Sequence, residues 1–271
     1  MKTKIFWYSI FTVFSLLMLY PIIFAVSNSF KSLPEAVVTG VSLIPAAPTL
    51  ENYAALFQRL DIARVIVNTF FIAGTVTVFK LLTSIFAAYA LVFFDFRFKN
   101  VLYFILIATI FIPFTVTMIP NFLTISRIGL MDNRMGVVLP QLADALGIFL
   151  MRQSMRMIPK SLIEYARLEK LGHLRILKDI VAPLTKPAII STSIIFFINS
   201  WNEFVWPMLI LRSNENFTLP LALQMFVSGE GGSDFTTIMA LAVVSMIVPL
   251  ILFLIFQRHI INTFISSGVK G

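Results

Sequence analysis

The segment Val65–Phe93, VIVNTFFIAGTVTVFKLLTSIFAAYALVF, is apolar along its length and contains a single charged residue, Lys80. Because a helix needs about 20 mostly apolar residues to cross a bilayer, this segment predicts a transmembrane helix. Five more segments qualify, although the fourth span of the chain is short and contains Gln141 and Asp144. They are Ile5–Val26, Val101–Phe122, Gly136–Leu150, Ala188–Leu211 and Thr236–Phe256. The sequence therefore predicts an all-α membrane protein with six transmembrane helices.

The composition supports this class of fold. Hydrophobic residues make up 58% of the 271 positions, charged residues only 13%, and the mean hydropathy is +0.91. Soluble domains contain about 45–50% apolar and about 25% charged residues. No segment between the spans is long enough to fold independently, so residues 1–271 are predicted to form a single transmembrane domain. The chain has no cysteine, which excludes disulfides, thiolate metal sites and cysteine nucleophiles.

The distribution of basic residues predicts the orientation, because cytoplasmic loops carry an excess of Lys and Arg. With the N-terminus in the cytoplasm and six crossings, the C-terminus is also cytoplasmic. Of the 21 basic residues, Lys80 then falls within a span and six fall outside, which leaves 14 inside. The six are Lys31, Arg59, Arg64, Arg127, Arg134 and Arg212. The net charge of +8 is thus a sign of topology, and no nucleic-acid partner is predicted.

The cytoplasmic stretch between the fourth and fifth spans, about residues 154–186, contains the sequence IPKSLIEYARLEKLGH from Ile158 to His173. Ser161 followed by Glu164 predicts a capping box at a helix start, and Gly172 suits a left-handed residue at the helix end. A second helix is predicted from Leu174 to Val181, ending at Pro183. Two such helices either lie on the membrane surface or dock into a partner protein. In the first case, membrane lipid is itself a predicted partner.

The spacing of residues in this stretch resembles the signature of the membrane subunits of ATP-binding-cassette importers. The matching residues are Glu164, Ala166, Glu169, Ile180 and Pro183. Three positions differ from the pattern: Tyr165 replaces an Ala, Lys170 stands where the family usually has Gly, and Ala182 replaces a Leu. The resemblance implies a coupling element that contacts the ATPases. Its residues would be Glu164, Tyr165, Ala166, Glu169, Lys170 and Gly172.

Other stretches are similar to the carbohydrate-uptake branch of this family, and in particular to the second maltose-permease subunit. They are Leu50–Tyr53, Met118–Pro120, Ile128–Asn133, Val138–Pro140, Gly147–Gln153, Trp201–Pro207 and Gly268–Gly271. The resemblance implies a multi-pass subunit in a bacterial or archaeal cytoplasmic membrane that translocates a di- or oligosaccharide by alternating access. It also implies a second homologous permease, two ATPase subunits that bind ATP and Mg²⁺, and a solute-binding protein reached by an external loop at about residues 212–235.

Polar and aromatic residues of the fifth span are candidates for lining the substrate pathway: Asn199, Trp201, Asn202, Glu203 and Trp206. Aromatic faces, amides and carboxylates suit sugar rings and hydroxyls. The alternative is a structural hydrogen-bond cluster, since a carboxylate at bilayer depth needs a partner. Lys80 is expected either to extend to the membrane surface or to pair with an acid of another helix, for which Glu203 is a candidate.

The sequence contains no set of residues for catalysis. A phosphate-binding loop is missing, and neither His173 nor His259 has metal-ligand spacing, so we expect no enzyme activity, no metal and no cofactor in this chain. Two other functions remain open: an ATP-binding-cassette permease for a non-sugar solute, and a secondary transporter that works alone. Six helices with one acid and one base within the spans provide too few charged groups for an ion pathway, which argues against the secondary transporter.

Overall fold

The computed structural model describes residues 2–229 and 235–268, and the side chains of residues 4–229 and 235–257. The described residues form helices and loops, with no β-strand. The first part of the chain contains α1 (Lys2–Ser29), α2 (Leu33–Thr39) and α3 (Glu51–Arg59). The middle of the chain forms α4 (Ile62–Phe93), α5 (Lys99–Ala108), α6 (Phe114–Arg127), α7 (Arg134–Val138) and α8 (Ala145–Arg156).

The second half of the chain starts with the short helices α9 (Lys160–Leu168), α10 (His173–Ile176) and α11 (Ala182–Leu184). A π-helical segment, Leu177–Val181, joins α10 to α11, so the second cytoplasmic helix continues to Leu184. The remaining helices are α12 (Lys186–Asn202), α13 (Val205–Ile210), α14 (Leu219–Ser228) and α15 (Phe235–Gly268). The predicted external loop thus contains α14, and residues 230–234 of this loop lie outside the described residues.

Three described helices are long and apolar enough to cross a membrane: Lys4–Ser29, Ile62–Phe93 and Phe235–Gln257. Three bent pairs could each form one more span, which would bring the total to six. They are Lys99–Phe111 with Phe114–Arg127, Arg134–Gln141 with Ala145–Arg156, and His173–Leu184 with Lys186–Asn202. The prediction of an all-α membrane protein is confirmed, and by length and composition the described helices are compatible with three to six crossings.

Two of the predicted spans are not continuous helices. The segment Val101–Phe122 bends by 97° at Ile112 and Pro113, because proline lacks an amide hydrogen and disfavours helical geometry in the preceding residue. The segment Ala188–Leu211 is interrupted at Glu203 and Phe204, where α12 ends and α13 begins. Hydropathy alone does not reveal such breaks, since the flanking residues are apolar on both sides.

Two hydrophobic clusters hold the helices together. The larger one, towards the predicted external side, surrounds Trp201 and Trp206 and joins α3, α4, α6, α7, α12, α13, α14 and α15. The smaller one, towards the predicted cytoplasmic side, contains Ala88, Tyr89, Met151, Met155, Ile158, Ile163, Ala166, Ile176, Leu177 and Val181. This cytoplasmic cluster fixes α9 and α10 against the ends of α4 and α8.

Candidate functional site

One face of α9 packs against the cytoplasmic cluster, and the opposite face is exposed. Ile163 and Ala166 are buried in the cytoplasmic cluster, so α9 packs against the ends of α4 and α8. The guanidinium of Arg167 donates a hydrogen bond from Nη2 to the carbonyl of Phe93, the last residue of α4, over 2.6 Å. A short rigid helix is therefore fastened to the end of a long membrane helix.

The start of α9 differs from the sequence prediction. The helix begins at Lys160 after Pro159, and no side chain caps it. The predicted capping box of Ser161 and Glu164 is therefore wrong, because Ser161 lies inside the first turn and not at the cap position. Pro159, directly before the first turn, favours the start of the helix instead, because the fixed φ of proline is compatible with helical geometry.

The end of α9 is a Schellman motif with an unusual residue. The amide of Leu171 donates to the carbonyl of Ala166 over 3.1 Å, and the amide of Lys170 donates to that of Arg167 over 2.9 Å. Lys170 has a φ of 59°, whereas Gly172 is extended with a φ of −70°. The prediction that Gly172 is the left-handed residue is therefore wrong, and Lys170 occupies that conformation.

A second contact fastens α10 to α4. The hydroxyl of Tyr89 and Nδ1 of His173 share a hydrogen bond of 3.1 Å, and the ring of Phe94 stacks on His173 with centroids 4.4 Å apart. The sequence analysis found no partner for His173. A signal was present, because a Tyr near the predicted cytoplasmic end of a span can contact polar residues of another predicted cytoplasmic segment.

The free face of α9 carries the other residues of the predicted coupling element. Glu164, Tyr165, Glu169, Lys170 and Gly172 are exposed, whereas Ala166 is buried against the cytoplasmic cluster. Leu168 and Leu174 add apolar surface, with 80% and 74% of each residue exposed. A patch of this kind with a charged rim is typical of a surface that binds another protein.

The break between α12 and α13 is organised by Glu203. Its Oε1 accepts hydrogen bonds from the amides of Val205 (2.8 Å) and Trp206 (3.2 Å), so the carboxylate caps the start of α13. The carboxylate thus has backbone partners within this chain. These local hydrogen bonds are in keeping with the structural alternative for Glu203, and its role in the substrate pathway stays a prediction.

The other pathway candidates divide into two groups. Trp201 and Trp206 are buried, with their indole N–H groups donating to the carbonyls of Ser245 and Val137, both over 3.2 Å. Phe70 packs edge-on against Trp201 at a centroid distance of 4.9 Å. Asn199 and Asn202, in contrast, are exposed. The structure therefore places the two amides, and not the two indoles, where a solute could reach them.

Lys80 pairs with an acid of another helix, but that acid is not Glu203. Its Nζ lies 3.3 Å from Oδ2 of Asp144, and only 18% and 26% of the two side chains are exposed. Asp144 also caps α8 by accepting a hydrogen bond from the amide of Gly147 over 3.0 Å. The hydroxyl of Thr83 donates to the carbonyl of Leu142 over 3.0 Å. Two side chains of α4 thus secure the break that precedes α8.

The external clasp, named for its place on the predicted external side, is formed by Asp132 with the loop after α13 and was missed by the sequence analysis. Oδ1 of Asp132 accepts hydrogen bonds from the amides of Arg212 (2.9 Å) and Ser213 (3.1 Å) and from the side chains of Ser213 and Asn216. Burial alone would raise the pKa of Asp132, but these hydrogen bonds outweigh it and lower the pKa from 3.8 to about 2. The available signal was the Asp-Asn pair between two spans, which favours a turn.

The described residues bring together no group of three or more His, Cys, Asp or Glu side chains that could hold a metal ion. The fold described above is that of a multi-pass, all-helical membrane protein, and the face of α9 turned away from the cytoplasmic cluster is an exposed apolar patch with a charged rim. The chain belongs to the family of binding-protein-dependent transport system inner membrane components, whose pattern matches residues 80–265. It is therefore the membrane component of a transport system that depends on a binding protein.

Several relatives match almost the whole chain. The arabinooligosaccharides transport system permease protein AraQ is 32% identical in Bacillus subtilis (strain 168) and 30% identical in Halalkalibacterium halodurans. Each of these matches covers 96% of this chain and 94% of the relative. The sn-glycerol-3-phosphate transport system permease protein UgpE of Escherichia coli is 28% identical, over 92% of this chain and 91% of the relative.

Solved structures give the same result. The crystal structure of a bacterial ABC transporter involved in the import of the acidic polysaccharide alginate contains a chain that is 28% identical to this one. The two match with a TM-score of 0.84 over 94% of this chain and 95% of the other. A chain of the alginate transporter in complex with an alginate pentasaccharide-bound periplasmic protein matches with a TM-score of 0.63 at 16% identity, which shows the shared fold.

Proposed function

We propose that this chain is one of two permease subunits of an ATP-driven importer for a di- or oligosaccharide. Membership of a binding-protein-dependent family supports a solute-binding protein as the external partner. The permease relatives for arabinooligosaccharides and the alginate importer support a saccharide as the cargo. The N- and C-termini lie in the cytoplasm of a bacterium or archaeon, in keeping with the excess of basic residues on that side.

The proposed energy coupling depends on the exposed face of α9. We propose that this face binds in a cleft of an ATPase subunit, with Tyr165 and Leu168 as apolar contacts. Glu164 and Lys170 lie at the charged rim of the face. The attachment of the opposite face to α4 and α8 supports it, because a displacement of α9 must then move both membrane helices. The chain itself is not catalytic, and ATP and Mg²⁺ bind to the ATPases alone.

Reversal of the charge at Glu164 tests this coupling. We expect Glu164→Lys to abolish solute uptake and binding-protein-stimulated ATPase activity while leaving insertion and folding intact. The side chain is exposed and forms no hydrogen bond within the described chain, so its loss removes no internal contact. The measurement is uptake and ATPase activity per assembled complex in proteoliposomes.

A charge reversal on the other side of the membrane is the matched control. Glu51 is also an exposed acid near a helix start, on the external helix α3. Glu51→Lys should leave uptake and ATPase activity close to those of the wild type. Full activity of the Glu164→Lys complex would disprove the docking role of α9.

A second candidate cargo is a small phosphorylated polyol, because the UgpE relatives are nearly as similar as the AraQ relatives. The two candidates differ in charge, and their uptake can be compared directly. Stimulation of ATPase activity by the binding protein loaded with sn-glycerol 3-phosphate, and not with any neutral saccharide, would favour the phosphorylated cargo.

A further inference from the structure

A cation–π contact joins α5 to α8 near the predicted cytoplasmic side. The guanidinium of Arg152 on α8 lies over the ring of Tyr103 on α5, 3.7 Å from its centroid. Tyr89, near the end of α4, packs in the same cluster as Met155, near the end of α8. Because α5 begins six residues after α4 ends, the start of α5 lies level with the end of α8.

The Arg152 guanidinium is partly buried and has no anion within the described chain. Its Nε is shielded from solvent and has no hydrogen-bond acceptor. Its two Nη atoms are neither buried nor paired with a group of the described chain, so they are available to an anion from outside. A guanidinium held partly away from water without an acceptor is unfavourable, and a bound anion would relieve this cost.

More basic residues lie at the same end of the two helices. Lys99 precedes Tyr103 by four residues on α5, and Arg156 follows Arg152 by four residues on α8. Each therefore lies on the same face as its helical neighbour and about 6 Å closer to the cytoplasm. The Lys99 ammonium is paired with Asp95 over 3.4 Å, whereas Arg156 is exposed and has no ion pair in the described chain.

A groove of about 390 Å³ opens beside these bases, at the start of α5. It is lined by Asp95, Phe96, Phe98, Lys99, Asn100 and Val101. The guanidinium of Arg97 lies 4.9 Å from the centroid of the Phe98 ring, is exposed and has no ion pair in the described chain. The one acid of the lining, Asp95, is already paired with Lys99. Arg97, Arg152 and Arg156 thus remain for a ligand, and the planar guanidinium group is well suited to bind phosphate oxygens.

The surface next to the groove is apolar. Val101, Phe104 and Ile105 on α5 are exposed, and none of the side chains of α5 is buried in the described chain. A free phosphate would bind the arginines and leave this surface uncovered, whereas the acyl chains of a lipid would lie along it. Basic pockets between membrane helices on the cytoplasmic side are typical binding sites for anionic lipid headgroups.

We propose that the adjoining ends of α5 and α8 bind the phosphodiester headgroup of one anionic phospholipid, with Arg97, Arg152 and Arg156 as its ligands. The lipid then holds α5 against α8, a helix with which it otherwise shares only part of its surface. The inference goes beyond solute import, and it requires the predicted side of the membrane but no particular cargo.

A fluorescent reporter at the groove tests the site in the complete transporter, with partner subunits that lack cysteine. Val101→Cys in this cysteine-free chain is labelled with bimane, and the complex is placed in nanodiscs of dioleoylphosphatidylcholine. Phosphatidylglycerol with a doxyl quencher near its headgroup should quench the bimane several-fold more than equally labelled phosphatidylcholine. Phe6→Cys, at the same end of α1, is the matched reporter, because 60% of Phe6 and 54% of Val101 are exposed. The two lipids should quench there about equally.

Charge-removing variants assign the headgroup to the arginines. We expect Arg152→Gln to lower the apparent affinity for labelled phosphatidylglycerol about tenfold or more, the value of a hydrogen bond to a charged group. Arg156→Gln removes an exposed cation with no internal partner, so folding is preserved, and we expect a loss of about fivefold. Lys4→Gln removes an exposed base on α1, which packs against α15, and should change the affinity by less than about twofold.

Several outcomes would overturn the inference. Equal quenching of the Val101 reporter by both lipids would show that no anionic lipid is selected, and no quenching by either would show that a protein subunit covers the groove. Displacement of the labelled lipid by millimolar inorganic phosphate or sn-glycerol 3-phosphate would identify a site for a free phosphate. An affinity that neither arginine variant lowers more than Lys4→Gln would indicate general surface charge. Saccharide uptake is measured separately, so each of these failures leaves the proposed import function standing.

Discussion

At the scale of single residues, Lys170 has an unfavourable backbone conformation. Its φ of 59° lies in the left-handed region, which costs an L-residue roughly 1–2 kcal/mol and glycine nothing. We expect Lys170→Gly to raise the free energy of unfolding by up to about 1 kcal/mol, since the relief of strain exceeds the added flexibility of the unfolded chain. The melting temperature of the purified complex should rise accordingly.

The preceding residue provides the control. Glu169 has a φ of −71°, which any residue adopts, so Glu169→Gly gains no relief of strain. It should lower stability by roughly 0.5–1 kcal/mol through the flexibility of glycine. A lower melting temperature for Lys170→Gly would contradict the assignment of the left-handed position to Lys170.

At the scale of helices, the Lys80–Asp144 pair joins α4 to the start of α8. Asp144→Asn retains the cap on Gly147 but leaves Lys80 without its anion, and we expect a loss of about 1–3 kcal/mol in stability. Adding Lys80→Met, which keeps the apolar part of the side chain but removes the charge, should restore part of the lost stability. Thermal unfolding of the four variants in a double-mutant cycle gives the interaction energy directly.

The exposed pair of Arg175 and Asp179 serves as a comparison, with nitrogen and oxygen 3.4 Å apart and 70% and 48% of the two side chains exposed. Arg175→Met combined with Asp179→Asn should show an interaction of at most about 0.5 kcal/mol, because solvent screens exposed charges. Strictly additive effects at Lys80 and Asp144 would mean that the pair does not hold the break.

The external clasp is a second device at this scale, because Asp132 links the loop before α7 to the loop after α13. Its pKa of about 2 in the folded chain is below 3.8, so the charged form stabilises the fold. That contribution is complete above about pH 4 and is lost as the pH falls towards 2. Asp132→Asn should therefore melt below the wild type at pH 5, with a difference that shrinks on acidification.

The exposed acid Glu51 again serves as the reference, since its carboxylate forms no hydrogen bond in the described chain. Glu51→Gln should have the same melting temperature as the wild type across this range of pH. A difference between Asp132→Asn and the wild type that stayed constant from pH 5 to pH 2.5 would show that charge does not drive the clasp.

At the scale of the whole molecule, the orientation in the membrane can be tested in the intact cell. A cysteine at Val38 of α2 should react with an impermeant thiol reagent from outside, and one at Asp95 only after the membrane is opened. Both residues are exposed and lie outside the proposed ATPase-binding face of α9, so access depends on the side of the membrane. The reversed pattern would overturn the placement of the 14 basic residues in the cytoplasm.

The sequence by itself determined the class of protein. The length of each apolar run is a local property that the bilayer demands, so an all-α membrane protein could be predicted without tertiary information. The spacing of Glu164, Ala166 and Glu169 is local as well, and the family that it indicated is confirmed. The expected roles of these residues in coupling stay predictions.

Only the tertiary structure decided how individual residues are used. The partner of Lys80, the cap made by Glu203 and the burial of Trp201 each depend on residues brought together from distant parts of the chain. The sequence alone does not show whether a polar or aromatic residue in an apolar span faces a solute or a neighbouring helix. The difference lies in the packing of the helices, which satisfies buried polar groups and leaves the amides of Asn199 and Asn202 free.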